Sequence, residues 1–483
     1  MKLSDIINTI HDYFTEKRFV IFVLSLVFLL LITVLILSNG FTGGADSIAH
    51  YTFSKNAFSN PQFFFNNWAK PIFTLISAPF ALIGFKGMQF LNILAAIAAG
   101  LFSYLVAKEL KMKQPILAII LCCFTPIFAY NIFSGLTEIV FALAAIIASY
   151  LLLKNKFVFA SIVISFLPFI RTEGVFLIPI YAIYIINKKQ YKSLAYILTG
   201  TIFYSVVGSF FNGDLFWVFT KTPYRSTIGL FGTGSFFQYI KRSPGFFGIP
   251  NEIFYVTGLV AGLTLFLRDK KEEYSKEFFL VVLPFLTYFF AHSFMWWSGI
   301  GNSHGTSRYM AAIVPFMAVM STRGLTLFSL LFEIIFKKNW VKIAALYVGI
   351  ISVIHIPFVV QNYPIPYDAF TKLIKESTIW IKENNLGKNK IYYNDATFYY
   401  LLGIDPMDKS RSQEIKADKQ KTLSETIEPG SLILYDEKYS PIENVNYNEL
   451  ANSKDFELIK VFLPEQTIQT SGRDYKVAIF RRL

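Results

Sequence analysis

At 483 residues, with 54% hydrophobic, 18% aromatic and only 16% charged side chains and a mean hydropathy of +0.46, the chain is too apolar for an average soluble globular protein. It reads as a polytopic α-helical membrane protein. The formal charge of +13 is unevenly spread: residues 361–483 carry 17 Lys and Arg against 18 Asp and Glu, so the excess belongs to the apolar part, where topogenic loops account for most of it and no nucleic acid is implied. Cys122 and Cys123 adjoin inside an apolar run, which leaves no disulfide framework and no zinc pattern.

A transmembrane helix needs about 20 apolar residues, and Lys and Arg mark its cytoplasmic end. Residues 1–18 mix Lys2, Lys17 and Arg18 with acids and are assigned to the cytoplasm, and the charge-free run 19–38 to an outward-going helix. That run is longer than a signal-peptide core and lacks a small-x-small cleavage site, so it is read as retained. The next segment, 39–86, forms the first external loop. It opens GFTGGADSIAHY and continues FSNPQFFFNNWAKPIF, too aromatic for a plain linker and too interrupted by Pro61 and Pro71 for one straight helix. Within it, 71–85 is given a re-entrant or interfacial course, because spanning there would put Lys108, Lys111 and Lys113 outside. Helices over 87–107, 115–132 and 137–153 then turn at KELKMK and KNK on the cytoplasmic side. The run 157–170 exits to RTEG, 174–187 returns to KKQYK, and 193–210 exits to an external loop, 211–250, carrying Lys221, Arg225, Lys241 and Arg242. Helices over 252–267 and 278–294 follow, a tenth begins near Arg308 with a break expected at Thr322–Gly324, the 309–336 region being either one bent helix or a span plus an interfacial helix, and an eleventh covers 343–360. Eleven spans place the N-terminus in the cytoplasm and the C-terminus outside.

Residues 1–362 thus form a transmembrane domain and 363–483 a small soluble α/β domain outside the membrane, with Pro364 and Pro366 at the junction. A helix is expected over 367–384 and strands at IYYN (391–394), SLILYD (431–436) and YKVAIF (475–480). This domain carries no chemical motif, and a stabilising or substrate-guiding lid is its expected role.

With that topology most unusual charges of the membrane part share one side. Asp46 lies just beyond the first helix, where desolvation penalises a carboxylate that has no task or partner, and it is the expected catalytic base. His50, four residues on, shares its face in a helix. Glu138 begins the fourth helix, where it could equally stabilise a helix N-terminus capped by Thr137 or Ser134. Arg171 and Glu173 could be a structural ion pair. Lys70 and Arg308 could anchor at the interface, and His304 could be a plain loop residue. Their functional reading is binding of a phosphate-activated, lipid-anchored donor: Arg and Lys neutralise the leaving phosphate while a carboxylate takes the acceptor's proton.

At these residues the chain resembles the GT-C superfamily of integral-membrane glycosyltransferases, especially bacterial relatives of protein O-mannosyltransferases and the aminoarabinose transferase of lipid A. The resemblance rests on Asp46 in the first external loop, WAKPIF (Trp68–Phe73), SGLTEIVFA with Glu138, RTEG (Arg171–Gly174) and SRYMAAIVPFMA with Arg308. It implies an inverting transfer of a hexose or pentose from a polyprenyl-phosphate-linked donor, on the outer face of the cytoplasmic (inner) membrane of a bacterium, to a glycan, lipid or protein acceptor. By carry-over Asp46 matches the catalytic acid of the first loop, Glu138 the second-loop acid, and Lys70 with Arg308 the phosphate contacts. Arg171, Glu173, Arg225, His304 and His50 complete the substrate-binding expectation. Ser47 stands where many relatives have a second acid and Ile72 where they have a second proline, so a divalent cation (Mg or Mn) on Asp46 and Glu138 is left open. An O-antigen polymerase or ligase, with Arg225, Arg242 and His304 dominant, and a lipid-linked-sugar transporter or flippase are the alternatives.

Overall fold

Pro, Gly and the long apolar runs between them set the element order. The computed structural model describes residues 3–222, 232–269, 271–415, 422–470 and 472–483. Its first elements are α1 (Leu3–Leu37), α2 (Ala45–Asn56), α3 (Pro71–Ala81), α4 (Phe85–Glu109), α5 (Leu117–Cys123), α6 (Pro126–Ile132), α7 (Glu138–Leu153), α8 (Phe157–Ile170) and α9 (Ile178–Asn187). There follow α10 (Tyr191–Leu194), α11 (Thr199–Asn212), α12 (Trp217–Thr220), α13 (Gln238–Phe247), α14 (Ile249–Arg268), α15 (Glu272–Glu277), α16 (Leu283–Ser298), α17 (Val314–Phe336) and α18 (Asn339–Val360). Seven helical stretches are long and apolar enough to cross a membrane, and four apolar helices of 10–17 residues accompany them, among the described residues. The protein is a multi-pass membrane protein.

Two expectations need correction. The run 115–132 is not one helix: it breaks between α5 and α6, where Thr125 is extended (φ −68, ψ 126) before Pro126. A proline has no N–H for the helix ladder and disfavours α conformation in its predecessor. Conversely, the helix does not break at Thr322–Gly324 but runs through it inside α17. A Cβ on Gly324 would sit 1.7 Å from the Phe254 carbonyl oxygen, and one on Gly258 would sit 1.9 Å from that of Met320. These glycines let α14 and α17 touch backbone to backbone. Beside them Arg323 forms a two-bond ion pair with the buried Glu277.

The chain divides into two compact units, one of Met1–Ser38 with Phe53–Pro364 and one of Asn39–Thr52 with Ile365–Leu483. The segment 39–52, including Asp46, therefore groups with the C-terminal residues. In the second unit the helices are α19 (Ala369–Glu383), α20 (Thr397–Leu402), α21 (Leu423–Thr426) and α22 (Tyr447–Asn452). Its strands are β1 (Ile391–Tyr393), β2 (Ser412–Glu414), β3 (Leu432–Asp436), β4 (Phe456–Phe462), β5 (Gln469–Thr470), β6 (Arg473–Asp474) and β7 (Val477–Arg482). The main sheet runs β2-β1-β3-β7-β4, with β1 parallel to β2 and β3, and β7 antiparallel to β3 and β4. Every residue of β3 is buried, as expected of a central strand covered on both faces. Tyr392, Ile433, Tyr435, Ala478 and Phe480 join one core cluster.

Candidate active site

In the first unit Glu138, Glu173 and Arg308 gather around Arg171. The helix α8 ends at Ile170, Arg171 turns to extended backbone (φ −148, ψ 136), and a 3-10 turn over Thr172–Phe176 follows. Gly174 makes that turn close, since a Cβ there would meet the Leu167 carbonyl carbon at 2.5 Å. Arg171 is 6% exposed. Its Nη1 lies 2.7 Å from Glu138 Oε1 and donates to Thr137 Oγ1 at 2.9 Å, and its Nη2 donates to Glu173 Oε1 at 2.7 Å. Arg308 Nε stands 3.6 Å from the same Glu138 oxygen. The ring of Tyr309 lies under both guanidinium groups, 5.3 Å from Arg171 and 5.7 Å from Arg308, a cation–π placement that suits delocalised cations.

The capping alternatives resolve at atomic level. Glu138 is the first residue of α7, but Thr137 makes no side-chain cap there; its hydroxyl accepts from Arg171 instead. The Ser134 hydroxyl closes a local turn, donating to Asn131 O and accepting from the Leu136 N–H. Arg171 and Glu173 are an ion pair, and Glu138 belongs to the same network.

Lys70 is placed by a second set of contacts. Asn66 Oδ1 accepts from the Trp68 and Ala69 N–H groups, an Asx-type turn. Asn67 Nδ2 bonds the Trp217 and Lys221 carbonyls, and Trp217 is buried with Phe169 and Tyr204. Lys70 then takes φ 66, ψ 100 immediately before Pro71, a left-handed conformation that a residue with a Cβ adopts only when its surroundings over-determine it. Its Nζ donates to Asn67 O and Thr172 Oγ1, each at 2.8 Å. Burial pulls the amine down to about 8, Glu173 acts against that shift, and Arg171 adds to it.

Sequence reasoning missed His292, Tyr288 and Tyr309. His292 is 1% exposed, stacks on Tyr309 with ring centroids 4.9 Å apart, and meets Tyr288 at 4.7 Å. Its Nε2 is 3.7 Å from Glu173 Oε1, and neither ring nitrogen has a hydrogen-bond partner in the chain. Glu138 Oε2 and Arg171 Nε are also buried without one. These atoms are exceptions to the near-complete pairing of buried polar groups and point to a ligand or solvent partner.

Of the remaining expected residues, Asp46 and His50 belong to the second unit. Asp46 is half-buried in the first turn of α2, and His50 lies one turn further on the same helix, buried. Gly43 and Gly44 (φ 92 and 62) shape the approach, and Ser47 Oγ donates to Thr42 O at 2.9 Å. His304 and Arg242 are exposed. Lys221 Nζ donates to Asn212 O. Arg225 lies outside the described residues.

The arrangement suits an anion better than a cation. Glu138 Oε1 faces two guanidinium groups, and no group of three or more His, Cys, Asp or Glu among the described residues could hold a metal ion. Those side chains do not fit a divalent cation. With Lys70 protonated, Arg171 and Arg308 outweigh Glu138 and Glu173, leaving a positive field with guanidinium and ammonium donors suited to phosphate oxygens.

No protein-family model matches the chain, and no curated protein matches it. Solved structures do. ArnT from Cupriavidus metallidurans bound to undecaprenyl phosphate is 10% identical, with a TM-score of 0.58 over 96% of this chain and 98% of that one. Its apo state gives 0.61 over 97% and 98%. The Archaeoglobus fulgidus oligosaccharyltransferase tethered with an acceptor peptide is 13% identical, with a TM-score of 0.53 over 83% of this chain and 64% of that one. A fold shared end to end with the first and across most of this chain with the second shows that this protein has the GT-C fold of integral-membrane glycosyltransferases.

Proposed function

We propose that the protein is an inverting glycosyltransferase that moves a hexose or pentose from a polyprenyl-phosphate donor to an acceptor on the outer face of the cytoplasmic membrane. The observation that carries this reading is the buried Arg171 network, where Glu138 and Glu173 hold the guanidinium in place and Arg308, Tyr309 and Lys70 surround it. Two arginines and a lysine offer the departing phosphate charge-assisted hydrogen bonds that strengthen as its charge develops. Glu138 and Glu173 pre-orient the Arg171 donors, and Asp46 removes the acceptor hydroxyl proton as the new glycosidic bond forms. The undecaprenyl phosphate bound to ArnT and the acceptor peptide on the archaeal enzyme support a lipid-phosphate donor and a separate acceptor.

The test is transfer of radiolabelled sugar by the purified protein from a panel of undecaprenyl-phosphate-linked hexoses and pentoses, with Asp46→Asn as control. Label reaching a membrane acceptor, or donor hydrolysing, in wild type and at least a hundredfold more slowly in Asp46→Asn is the expected result. Full activity in Asp46→Asn removes Asp46 from the mechanism. Consumption of pyrophosphate-linked oligosaccharides alone assigns the protein to polymerase or ligase chemistry.

A further inference from the structure

The segment that carries Asp46 is built into the C-terminal unit. Thr52 and Tyr399 are 347 residues apart, yet their hydroxyls hydrogen-bond at 2.7 Å. At the other end of the segment the Gly40 N–H donates to Ile365 O at 2.9 Å, and a Cβ on Gly40 would sit 2.1 Å from Pro366 O, so only glycine permits this approach. Phe41 meets Tyr367 and Tyr400 edge-on at 6.2 and 6.3 Å, and Tyr51 meets Tyr400 in the same manner at 5.9 Å. The segment is thus pinned at residues 40–41 and again at 51–52. Between the pins lie the Gly43-Gly44 turn and the first turn of α2, which holds Asp46.

An acid on a free loop would sample many positions, and proton abstraction needs one of them. An aromatic edge contact stabilises beyond area burial, and a hydrogen bond adds to it. Two such contacts on Tyr400 and one bond on Tyr399 tie the segment to α20. A displacement of about 1 Å at a reacting group can lower a rate about a hundredfold.

We propose that Tyr399 and Tyr400 of α20 are positioning residues for Asp46, so that the C-terminal unit holds the segment that carries this acid and is more than a lid. This inference rests on the reading of Asp46 as the base. It predicts an effect on kcat and not on donor binding, because neither tyrosine is assigned to the donor.

The experiment compares Tyr400→Leu, Tyr400→Phe and Tyr399→Phe in the full-length protein, using whichever undecaprenyl-phosphate sugar reacts in the assay above. It reads kcat, donor KM and hydrogen exchange of the 39–52 and β3–β7 amides. Expected are a kcat at least tenfold lower in Tyr400→Leu with donor KM within twofold, faster exchange confined to 39–52, and recovery of kcat in Tyr400→Phe, which keeps both edge contacts. Tyr399→Phe loses only a hydroxyl and should lower kcat about threefold. It decides the matter if β3–β7 exchange shows that Tyr400→Leu has unfolded the unit. An unchanged kcat, or a raised donor KM with kcat kept, overturns the inference while an inactive Asp46→Asn leaves the proposed function standing. An active Asp46→Asn overturns both.

Discussion

Lys70 combines three features that rarely coincide: a left-handed backbone before a proline, a buried amine, and two short hydrogen bonds to neutral oxygens. An ordinary lysine holds its charge to about pH 10, whereas burial brings this one to about 8. Below that value the ammonium is present and can pair with a phosphate, and as pH rises through it the charge is lost. Since a hydrogen bond to a charged group is worth about 1.5–3 kcal/mol, donor KM should climb about tenfold or more between pH 7 and 9.5 with kcat less affected. In Lys70→Arg the guanidinium stays charged and that climb should vanish. A wild-type KM flat to pH 9.5 would remove Lys70 from donor binding. The signal for this lysine was readable in WAKPIF, but its depressed pKa was not, because the burial comes from Thr172 and neighbours a hundred residues away. His292 and Tyr309 were invisible for a related reason. Each sits in or beside an apolar run, where a lone ring looks like packing, and only the fold brings both rings against Glu173 and Arg171.

At the scale of elements, periodicity and punctuation served where a helix ends for local reasons. The helix expected over 157–170 has those bounds, and Glu138 starts α7 within a residue of expectation. Glycine was misread where its role is an interhelical contact. Gly324 looked like a break because it follows Thr322 and Arg323, yet it lies inside α17, pressed against α14. The two roles predict opposite signs. In an open helix Gly→Ala gains up to about 1 kcal/mol from propensity, but overpacking typically costs about 1–3 kcal/mol, and a Cβ 1.7 Å from a backbone oxygen cannot be relieved by a rotamer change. Gly324→Ala should therefore lower the thermal unfolding midpoint of the detergent-solubilised protein, and Gly258→Ala should do the same. A midpoint that rises in either variant would mean that the close crossing is not there. Strands β2 and β4 went unrecognised because β2 has only three residues and the edge strand β4 carries a register shift between Leu458 and Lys460, which breaks the two-residue alternation that marks a strand.

The division of the whole molecule into two units was only half legible, since the change to soluble composition after 363 is plain in the sequence, whereas the grouping of 39–52 with it depends on contacts between residues hundreds of positions apart. The two units should also respond differently to pH, because the second buries two carboxylates at the ends of neighbouring parallel strands. Asp395 follows β1 and Asp436 ends β3, and both are buried. Burial raises both above the ordinary carboxylate range; Asp395 raises Asp436 further, while the Tyr439 and Lys438 N–H groups and the Lys438 charge pull Asp436 back. A carboxyl that holds its proton more tightly when folded stabilises the fold below its unfolded value of about 4. That stabilisation is lost as pH rises through the higher folded value, so the second unit should loosen between mildly acid and neutral pH. Asp436→Asn keeps an oxygen for the Lys438 and Tyr439 N–H groups and removes the charge that has to be buried. In the full-length variant, β3 and β7 amides should exchange more slowly than wild type at pH 8 and about equally at pH 4.5, while the first unit's helices keep the same exchange at both. Faster exchange in Asp436→Asn at pH 8 would show instead that the ionised pair, held by Lys438, stabilises the unit.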